Sequence, residues 1–346
     1  MKKIILLTVF VFGAVVAYIY LSSIGLKFNN AFVSGGSQNN KSASEGSPHP
    51  LAIESLRKRE YPGSDIVIEQ ELPDGSNYRQ YIASYKSDGL KIFGLLTIPK
   101  GNKPVGGWPA IIFNHGFIQP NQYKTTERYV EYLDGFAKNG YVVFKSDYRG
   151  HGNSEGIADG NYYSPGYLID VLNAKESIKK LPEVNPEKIG MWGHSMGGNI
   201  VMKSLVIADD IKAAVIWAGV VGSYDDILNN WDKAKEWMQS EEYQKQGSSG
   251  QSFIKKFGDI AENPSFWSSI DPYSFIDKIN TPVQLHHGTG DVHVPLLFSE
   301  NFRKVLENNG KNVELYVYDG ADHNLSGDSF TTAMDRSILF FDKYLK

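Results

Sequence analysis

The chain has 346 residues, of which 41% are hydrophobic and 13% aromatic, and its formal net charge is −4. That length and apolar content are enough for one large hydrophobic core, and they exclude a protein that is too polar to fold. The interspersed charges exclude the basic face that binds nucleic acid, and the absence of cysteine excludes a disulfide framework, a thiolate nucleophile and a cysteine zinc site.

Residues 1–26 are predicted to be a membrane anchor. Lys2 and Lys3 precede an uncharged, nearly all apolar run of about 18 residues, 4–21. At about 1.5 Å rise per residue, a helix of that length just spans a bilayer. Because only weak cleavage sites follow, an uncleaved anchor is favoured over a secretory signal. The lysines would stay in the cytoplasm and the rest of the chain outside it; the alternative is secretion after cleavage.

Residues 27–50 are predicted to be a flexible linker, because 34–50 is rich in Gly and Ser and too polar to order itself. The globular domain then spans 51–346 and begins with a short helix over 51–61. Turn sequences indicate an antiparallel meander of three strands, over residues 66–69, 78–85 and 90–98.

From residue 110 onward, short apolar runs alternate with helical stretches. This alternation predicts an α/β fold with a mostly parallel central sheet and helices on both faces. Strands are expected over residues 110–113, 141–144, 189–192, 213–217, 283–286 and 313–318, and helices over 126–139, 167–181, 199–206, 299–309 and 332–344. Such sheets place ligand sites at the carboxyl ends of their strands.

Residues from about 223 to 280 interrupt the alternation. The segment is polar and contains scattered aromatic residues, which predicts a small helical cap inserted after a core strand. It could be a lid that excludes water from a pocket, or a surface insertion with its own small core. The lid is favoured because loops at this end of a sheet usually face the site.

The sequence Gly-His-Ser-Met-Gly at residues 193–197 joins an apolar run to a helix-compatible one. A strand that turns into a helix at one residue strains that residue, here Ser195. The neighbours two positions away are pressed together, so Gly193 and Gly197 must be small. This arrangement predicts a nucleophile raised above the sheet edge; the alternative is a glycine-rich turn without chemistry.

A nucleophilic serine needs a base, and the base needs an orienting acid. On a sheet with this kind of turn, the acid and then the histidine follow the serine along the chain. Asp291 comes after the strand predicted at 283–286, and His323 comes after the strand predicted at 313–318. They are predicted to complete a catalytic triad. His293 is the nearest competing base, but it follows the acid by only two residues.

An oxyanion hole requires a second backbone donor from the loop after the first parallel strand. Gly116 in that loop would allow the backbone to approach the serine closely. The predicted donors are the N–H groups of Phe117 and Met196.

Five other polar residues near these strand ends are predicted to be structural. Arg149 could clamp a substrate carboxylate, but an ion pair with a local acid is favoured. His115 could be a base, but packing beneath its loop is favoured. His194, beside the nucleophile, and His286 and His287, at the end of a strand, are also expected to support the fold.

Together these residues resemble the α/β-hydrolase superfamily and, within it, the catalytic domain of prolyl-oligopeptidase-family serine peptidases, including dipeptidyl- and acylaminoacyl-peptidase-like proteins. The matching segments are residues 114–117, 147–152, 193–198, 271–272 with 281–283, 288–291 and 322–323. The resemblance covers roughly residues 78–346. It implies an α/β-hydrolase fold and a serine hydrolase that cleaves a peptide, amide or carboxylic ester bond through an acyl-enzyme, with no metal and no cofactor.

One feature departs from the larger family members, which carry an N-terminal β-propeller. Only about 60 residues separate the predicted linker from the oxyanion loop, and no propeller repeat is present. The motifs favour a peptidase, and the missing propeller favours an esterase. The expected partner is therefore a small ester or a short peptide. The sequence leaves the oligomeric state open. An inactive binding protein is disfavoured because the triad is complete, and a dehalogenase would need a carboxylate in place of Ser195.

Overall fold

The computed structural model describes residues 48–160, 162–231 and 250–346. Pro48–Lys346 form one compact unit, which begins slightly before the predicted start of the globular domain. The predicted anchor and most of the predicted linker lie outside the described residues. Within the described part of the chain, no helix is both long and apolar enough to cross a membrane.

The described part contains one large sheet. Its strands are β1 (Val67–Leu72), β2 (Tyr78–Ser87), β3 (Leu90–Pro99), β4 (Trp108–Asn114), β5 (Val142–Ser146), β6 (Val184–His194), β7 (Ala213–Trp217), β8 (Val283–Gly288) and β9 (Val313–Tyr318). Their order is β1-β2-β3-β5-β4-β6-β7-β8-β9. β1, β2, β3 and β5 pair antiparallel in succession. All pairs from β5 to β9 are parallel.

Helices cover both faces of this sheet. The described helices are α1 (Ile53–Lys58), α2 (Val130–Lys138), α3 (Gly166–Ile178), α4 (Met196–Ile207), α5 (Tyr224–Asn229), α6 (Gly250–Phe257), α7 (Pro264–Ile270), α8 (Leu296–Asn308) and α9 (Asp328–Leu345), with a 3₁₀ helix at Pro272–Lys278. One apolar cluster packs α3, α4 and α8 against the sheet, and a second packs α2 and α9 against the other face. The predicted α/β fold, with its N-terminal antiparallel strands, is confirmed.

Strand position explains the composition of each strand. β7, in the parallel part, has the sequence Ala-Ala-Val-Ile-Trp, and all five of its residues are buried. A strand covered on both faces requires such a continuous apolar run. β1, at the sheet edge, is almost entirely exposed, and its sequence Val-Ile-Glu-Gln-Glu-Leu mixes apolar and polar residues. The apolar runs therefore mark the parallel strands whose carboxyl ends carry the candidate site.

One helix begins later than its sequence pattern predicts. The helix expected over 126–139 starts only at Val130. The two residues before it, Arg128 and Tyr129, have φ angles of 58° and 57°. A residue in this left-handed region cannot continue a right-handed helix. The predicted first turn is instead part of a loop that leads from β4 to α2.

The insertion after β7 is helical in its described parts. α5, α6 and α7 lie within the predicted cap range, and residues 232–249 lie outside the described part of the chain. The ring of His49, predicted to be in the linker, contacts the rings of Phe257 and Phe266 at centroid distances of 5.3 and 5.2 Å. The chain just before α1 therefore packs on the insertion.

The packing of the C-terminal helix α9 on the sheet can be tested by substitution. Phe341 is fully buried and contacts Phe136 and Tyr141, at centroid distances of 5.6 and 6.1 Å. We expect Phe341→Ala to lower the free energy of unfolding by about 3–5 kcal/mol, because it leaves a cavity. Leu339→Ala on the same helix, at a side chain that is 68% exposed, should change it by about 0.5 kcal/mol or less. Urea unfolding would measure both; equal losses would contradict this packing.

Candidate active site

Ser195 lies at the sharp turn between β6 and α4. Its backbone has φ 56° and ψ −121°, a strained conformation for a residue other than glycine. Hydrogen bonds hold it there: the Ser195 N–H donates to Trp217 O at 3.1 Å, and its carbonyl accepts from Gly198 and Val220 at 2.9 and 3.0 Å. The neighbouring strand and helix thus determine the position of the serine.

The three glycines predicted around the serine are closely packed. A Cβ on Gly193 would lie 2.5 Å from Gly197 O, and a Cβ on Gly197 would lie 2.0 Å from Asn114 O. A Cβ on Gly116 would lie 2.6 Å from Tyr129 Oη and 3.1 Å from Ser195 Cβ. Real Cβ atoms do not approach backbone atoms as closely as they would at Gly193 and Gly197, so glycine is required at these two positions. At Gly116 a Cβ would require the side chain of Tyr129 to shift.

Asp291 and His323 are brought together from loops after β8 and β9. Asp291 Oδ2 and His323 Nδ1 are 2.7 Å apart, and the side chain of Asp291 is fully buried. Burial opposes ionisation of this carboxyl, but hydrogen bonds from His287 and His323 outweigh it and lower the pKa of Asp291. The backbone N–H groups of His293 and Val294 donate to its other oxygen at 2.8 and 3.0 Å.

His287 is a contact of the acid that the sequence analysis did not identify. It lies in β8, and its Nε2 is 3.2 Å from Asp291 Oδ2 and 3.0 Å from Val294 O. Its Nδ1 is 2.7 Å from Ser299 Oγ. The sequence offered one indication of this contact, because His287 lies four residues before the predicted acid. It was equally compatible with a histidine that only packs in the sheet.

His194 belongs to a hydrogen-bonded chain that joins the oxyanion loop to the loop of His323. The Gly116 N–H donates to Tyr129 Oη at 2.9 Å, and this hydroxyl lies 2.8 Å from His194 Nδ1. His194 Nε2 lies 2.9 Å from the carbonyl of His323. Burial, reinforced by the nearby His323, lowers the pKa of His194 to about 3. A neutral ring that accepts at Nδ1 and donates at Nε2 satisfies every contact in this chain.

The predicted oxyanion donors flank the serine. Met196 is the first residue of α4, where backbone N–H groups have no acceptor within the helix. Phe117 follows Gly116 and is 38% exposed at the cavity wall. The two residues therefore lie at the start of the adjacent helix and on the loop after β4, and their role as oxyanion donors stays a prediction.

A cavity of about 530 Å³ opens above Ser195. Its described lining is mostly aromatic and histidine side chains, with one arginine and no aspartate or glutamate: Gly116, Phe117, Ile118, Arg128, Tyr129, Tyr132, Tyr162, His194, Ser195, Trp231, His293, Val294, His323 and Asn324. Ser195 and His323 share this wall, although the described hydrogen bonds include none between their side chains. Such bonds are often long before a substrate arrives.

Two polar residues considered as functional have structural contacts. Arg149 donates to buried Asp170 from its backbone N, Nε and Nη2 at 2.8, 3.0 and 2.8 Å, as its structural interpretation predicts. His115 is stacked between the rings of Tyr123 and Tyr148, and burial holds its pKa well below the ordinary value. Among the described residues, no group of three His, Asp or Glu side chains could hold a metal ion.

The nucleophile turn, the acid and the histidine all lie at the carboxyl ends of parallel strands, which is the arrangement of an α/β-hydrolase and makes this protein a serine hydrolase. The chain belongs to the prolyl oligopeptidase family, whose sequence profile matches residues 128–346, more than half of its length. The family resemblance drawn from the motifs is thereby confirmed.

Three similar proteins illustrate the range of this fold. The uncharacterized peptidase YtmA of Bacillus subtilis is 26% identical over 262 residues, which cover 75% of this chain and 91% of that protein. The acylaminoacyl peptidase of Pyrococcus horikoshii superposes with a TM-score of 0.61 at 23% identity, over 78% of this chain but only 42% of its own. An acetyl xylan esterase from Paenibacillus sp. R4 superposes with a TM-score of 0.60 at 18% identity, over 85% of this chain and 92% of its own.

The lowered pKa of Asp291 makes its contribution to stability dependent on pH. A carboxyl with a lower pKa in the folded state stabilises that state above its unfolded value of about 3.9, and this contribution is lost as pH falls toward the folded pKa. We therefore expect the excess stability of wild type over Asp291→Asn to be full at neutral pH and to shrink below about pH 4. Urea unfolding across this pH range would measure it; an excess that grew on acidification would contradict the assignment.

Proposed function

We propose that this serine hydrolase cleaves acyl bonds through an acyl-enzyme, with Ser195 as nucleophile, His323 as base and Asp291 as the acid that orients the base. The 2.7 Å contact between Asp291 Oδ2 and His323 Nδ1 is the observation that carries this proposal. A carboxylate bound at Nδ1 keeps the proton on that nitrogen, so Nε2 is left to accept the serine proton.

The proposed reaction begins when Ser195 Oγ bonds to the substrate carbonyl carbon while His323 removes the hydroxyl proton. The carbonyl π electrons move to the oxygen, and the N–H groups of Phe117 and Met196 stabilise that oxyanion. Each such donor contributes roughly 2.7–4 kcal/mol to lowering the barrier. The oxyanion then collapses, the leaving group departs with the proton from His323, and water repeats the sequence to release the acid.

Peptide or amide bonds are the first candidate substrate class. Membership of the prolyl oligopeptidase family supports it, as does the likeness to a Bacillus protein described as a peptidase. Carboxylic esters are the second candidate. The likeness to an acetyl xylan esterase, 92% of which is covered, supports it. Size does not separate the two classes, because 91% of the Bacillus protein described as a peptidase is covered as well.

The N-terminal segment bears on where this activity would act. We propose that residues 1–26 anchor the protein in a membrane with its hydrolase domain outside the cytoplasm, on the basis of the apolar run after Lys2 and Lys3. Secretion after cleavage is the alternative. Full-length protein found soluble in the cytoplasmic fraction of fractionated cells would contradict both.

Labelling with a fluorophosphonate tests the nucleophile. We expect wild type to be labelled at Ser195, and Ser195→Ala to lose both labelling and ester hydrolysis, because the proposed base and oxyanion donors are arranged around this hydroxyl. Ser76→Ala, at an exposed serine between β1 and β2, should behave as wild type. Mass spectrometry would identify the labelled residue. Absence of wild-type labelling, or equal labelling of Ser195→Ala, would refute the mechanism.

A substrate panel separates the two candidate bonds. For a peptidase we expect measurable kcat/KM on blocked peptidyl p-nitroanilides as well as on p-nitrophenyl esters, because an activated ester has the better leaving group and needs less stabilisation. For the esterase alternative we expect turnover of the esters alone. Turnover of neither class by a protein that is labelled at Ser195 would exclude both candidates.

A further inference from the structure

Arg128 is an exposed arginine in the wall of the cavity that contains Ser195 and His323. No described carboxylate lies within ion-pair distance of it. This distinguishes it from the arginines that form ion pairs elsewhere in the described structure, which are Arg57, Arg59, Arg149 and Arg303. Since the described lining also lacks aspartate and glutamate, its guanidinium is available to an anion that enters the cavity.

The backbone at this position is strained. Arg128 and Tyr129 are consecutive left-handed residues, neither of them glycine, with φ angles of 58° and 57°. Such strain persists only where the surroundings impose it, and it concentrates at ligand sites. A regular helix that began at residue 126 would have had no such strain. The surroundings of the loop therefore impose this conformation.

A buried lysine holds the strained segment. Lys145 in β5 is 1% exposed, and its ammonium donates to the carbonyls of Glu127 and Arg128 at 3.1 and 3.2 Å. Burial lowers the pKa of Lys145 to about 8, although nearby Asp147 acts in the opposite direction. The lysine is thus bound to the two carbonyls that flank the Cα of Arg128.

A buried aspartate fixes the loop just before that segment. Asp147, beyond the end of β5, accepts hydrogen bonds from Tyr123 Oη at 2.8 Å and Thr125 Oγ1 at 2.5 Å. Only two residues separate Thr125 from Arg128, so the loop is bound to the sheet on both sides of residue 126. The backbone that carries the guanidinium is therefore pre-organised before a substrate binds.

We infer that Arg128 binds a carboxylate carried by the substrate, beside the bond that Ser195 attacks, and so makes the enzyme selective for anionic esters or peptides. This inference rests on the proposed function. A guanidinium pairs with a carboxylate through two parallel hydrogen bonds, and the aromatic wall strengthens that attraction by excluding water. A cationic substrate group would meet Arg128 without a compensating carboxylate among the described lining residues.

Matched ester pairs measure this selectivity on each side of the scissile bond. For the leaving group, the pair is p-(butanoyloxy)benzoate and its methyl ester. For the acyl group, the pair is mono-p-nitrophenyl adipate and its methyl ester. The measured quantity is the ratio of kcat/KM for the carboxylate to kcat/KM for its methyl ester, which cancels differences in enzyme concentration and folded fraction.

We expect Arg128→Gln to lower this ratio by about tenfold or more in at least one pair, because a hydrogen-bonded charge partner is lost. Arg128→Lys should retain part of the ratio, since it keeps the charge without the planar fork. Arg79→Gln, at an exposed arginine on β2 outside the cavity lining, should keep the wild-type ratio. The pair that responds identifies the side of the bond on which the carboxylate lies.

Two failures of this experiment have different meanings. A ratio for Arg128→Gln that equals the wild-type ratio in both pairs overturns the role of Arg128, even if fluorophosphonate labels Ser195. A folded wild type that neither labels nor hydrolyses any of the four esters overturns the proposed function, and the inference with it.

Discussion

The site depends on one steric constraint, the close contact of three backbone segments around Ser195. β6 must turn into α4 at a single strained residue, while the loop after β4 presses against that turn. The space allows no Cβ at Gly193 or Gly197, and a Cβ at Gly116 would displace the side chain of Tyr129. Because hydrogen bonds from the neighbouring strand and helix fix the serine backbone, the rest of the site is arranged around a hydroxyl whose position is set by the sheet.

His323, the proposed base, is positioned from two directions. Asp291 holds His323 through a contact between side chains, and His194 contacts the carbonyl of His323 from the other side. Through Tyr129 the same chain of hydrogen bonds reaches Gly116 in the oxyanion loop. A displacement of the oxyanion loop would therefore also disturb the histidine, which links two parts of the site that lie far apart in sequence.

Local patterns predicted the parts of this architecture that burial and sterics impose on short segments. Parallel strands must be apolar on both faces, so β7 and its neighbours are evident as continuous apolar runs. The small residues at the turn follow from its geometry, and the order along the chain predicted Asp291 as the acid and His323 as the base, with His293 as the competing base. The contact of His287 with the acid could not be predicted, because strand periodicity does not specify which neighbour a buried histidine faces.

The sequence by itself determined the α/β fold class and the glycine positions at the turn, because each follows from requirements within short segments of chain. It also predicted the nucleophile, acid and histidine from their order after successive strands. Only the tertiary structure decided that residues 126–129 form a loop rather than a helical turn. That outcome depends on Lys145 in β5 and on Asp147 just after β5, which contact the loop only after the sheet has formed. The charge that lines the cavity is therefore a property of long-range packing, which no local pattern encodes.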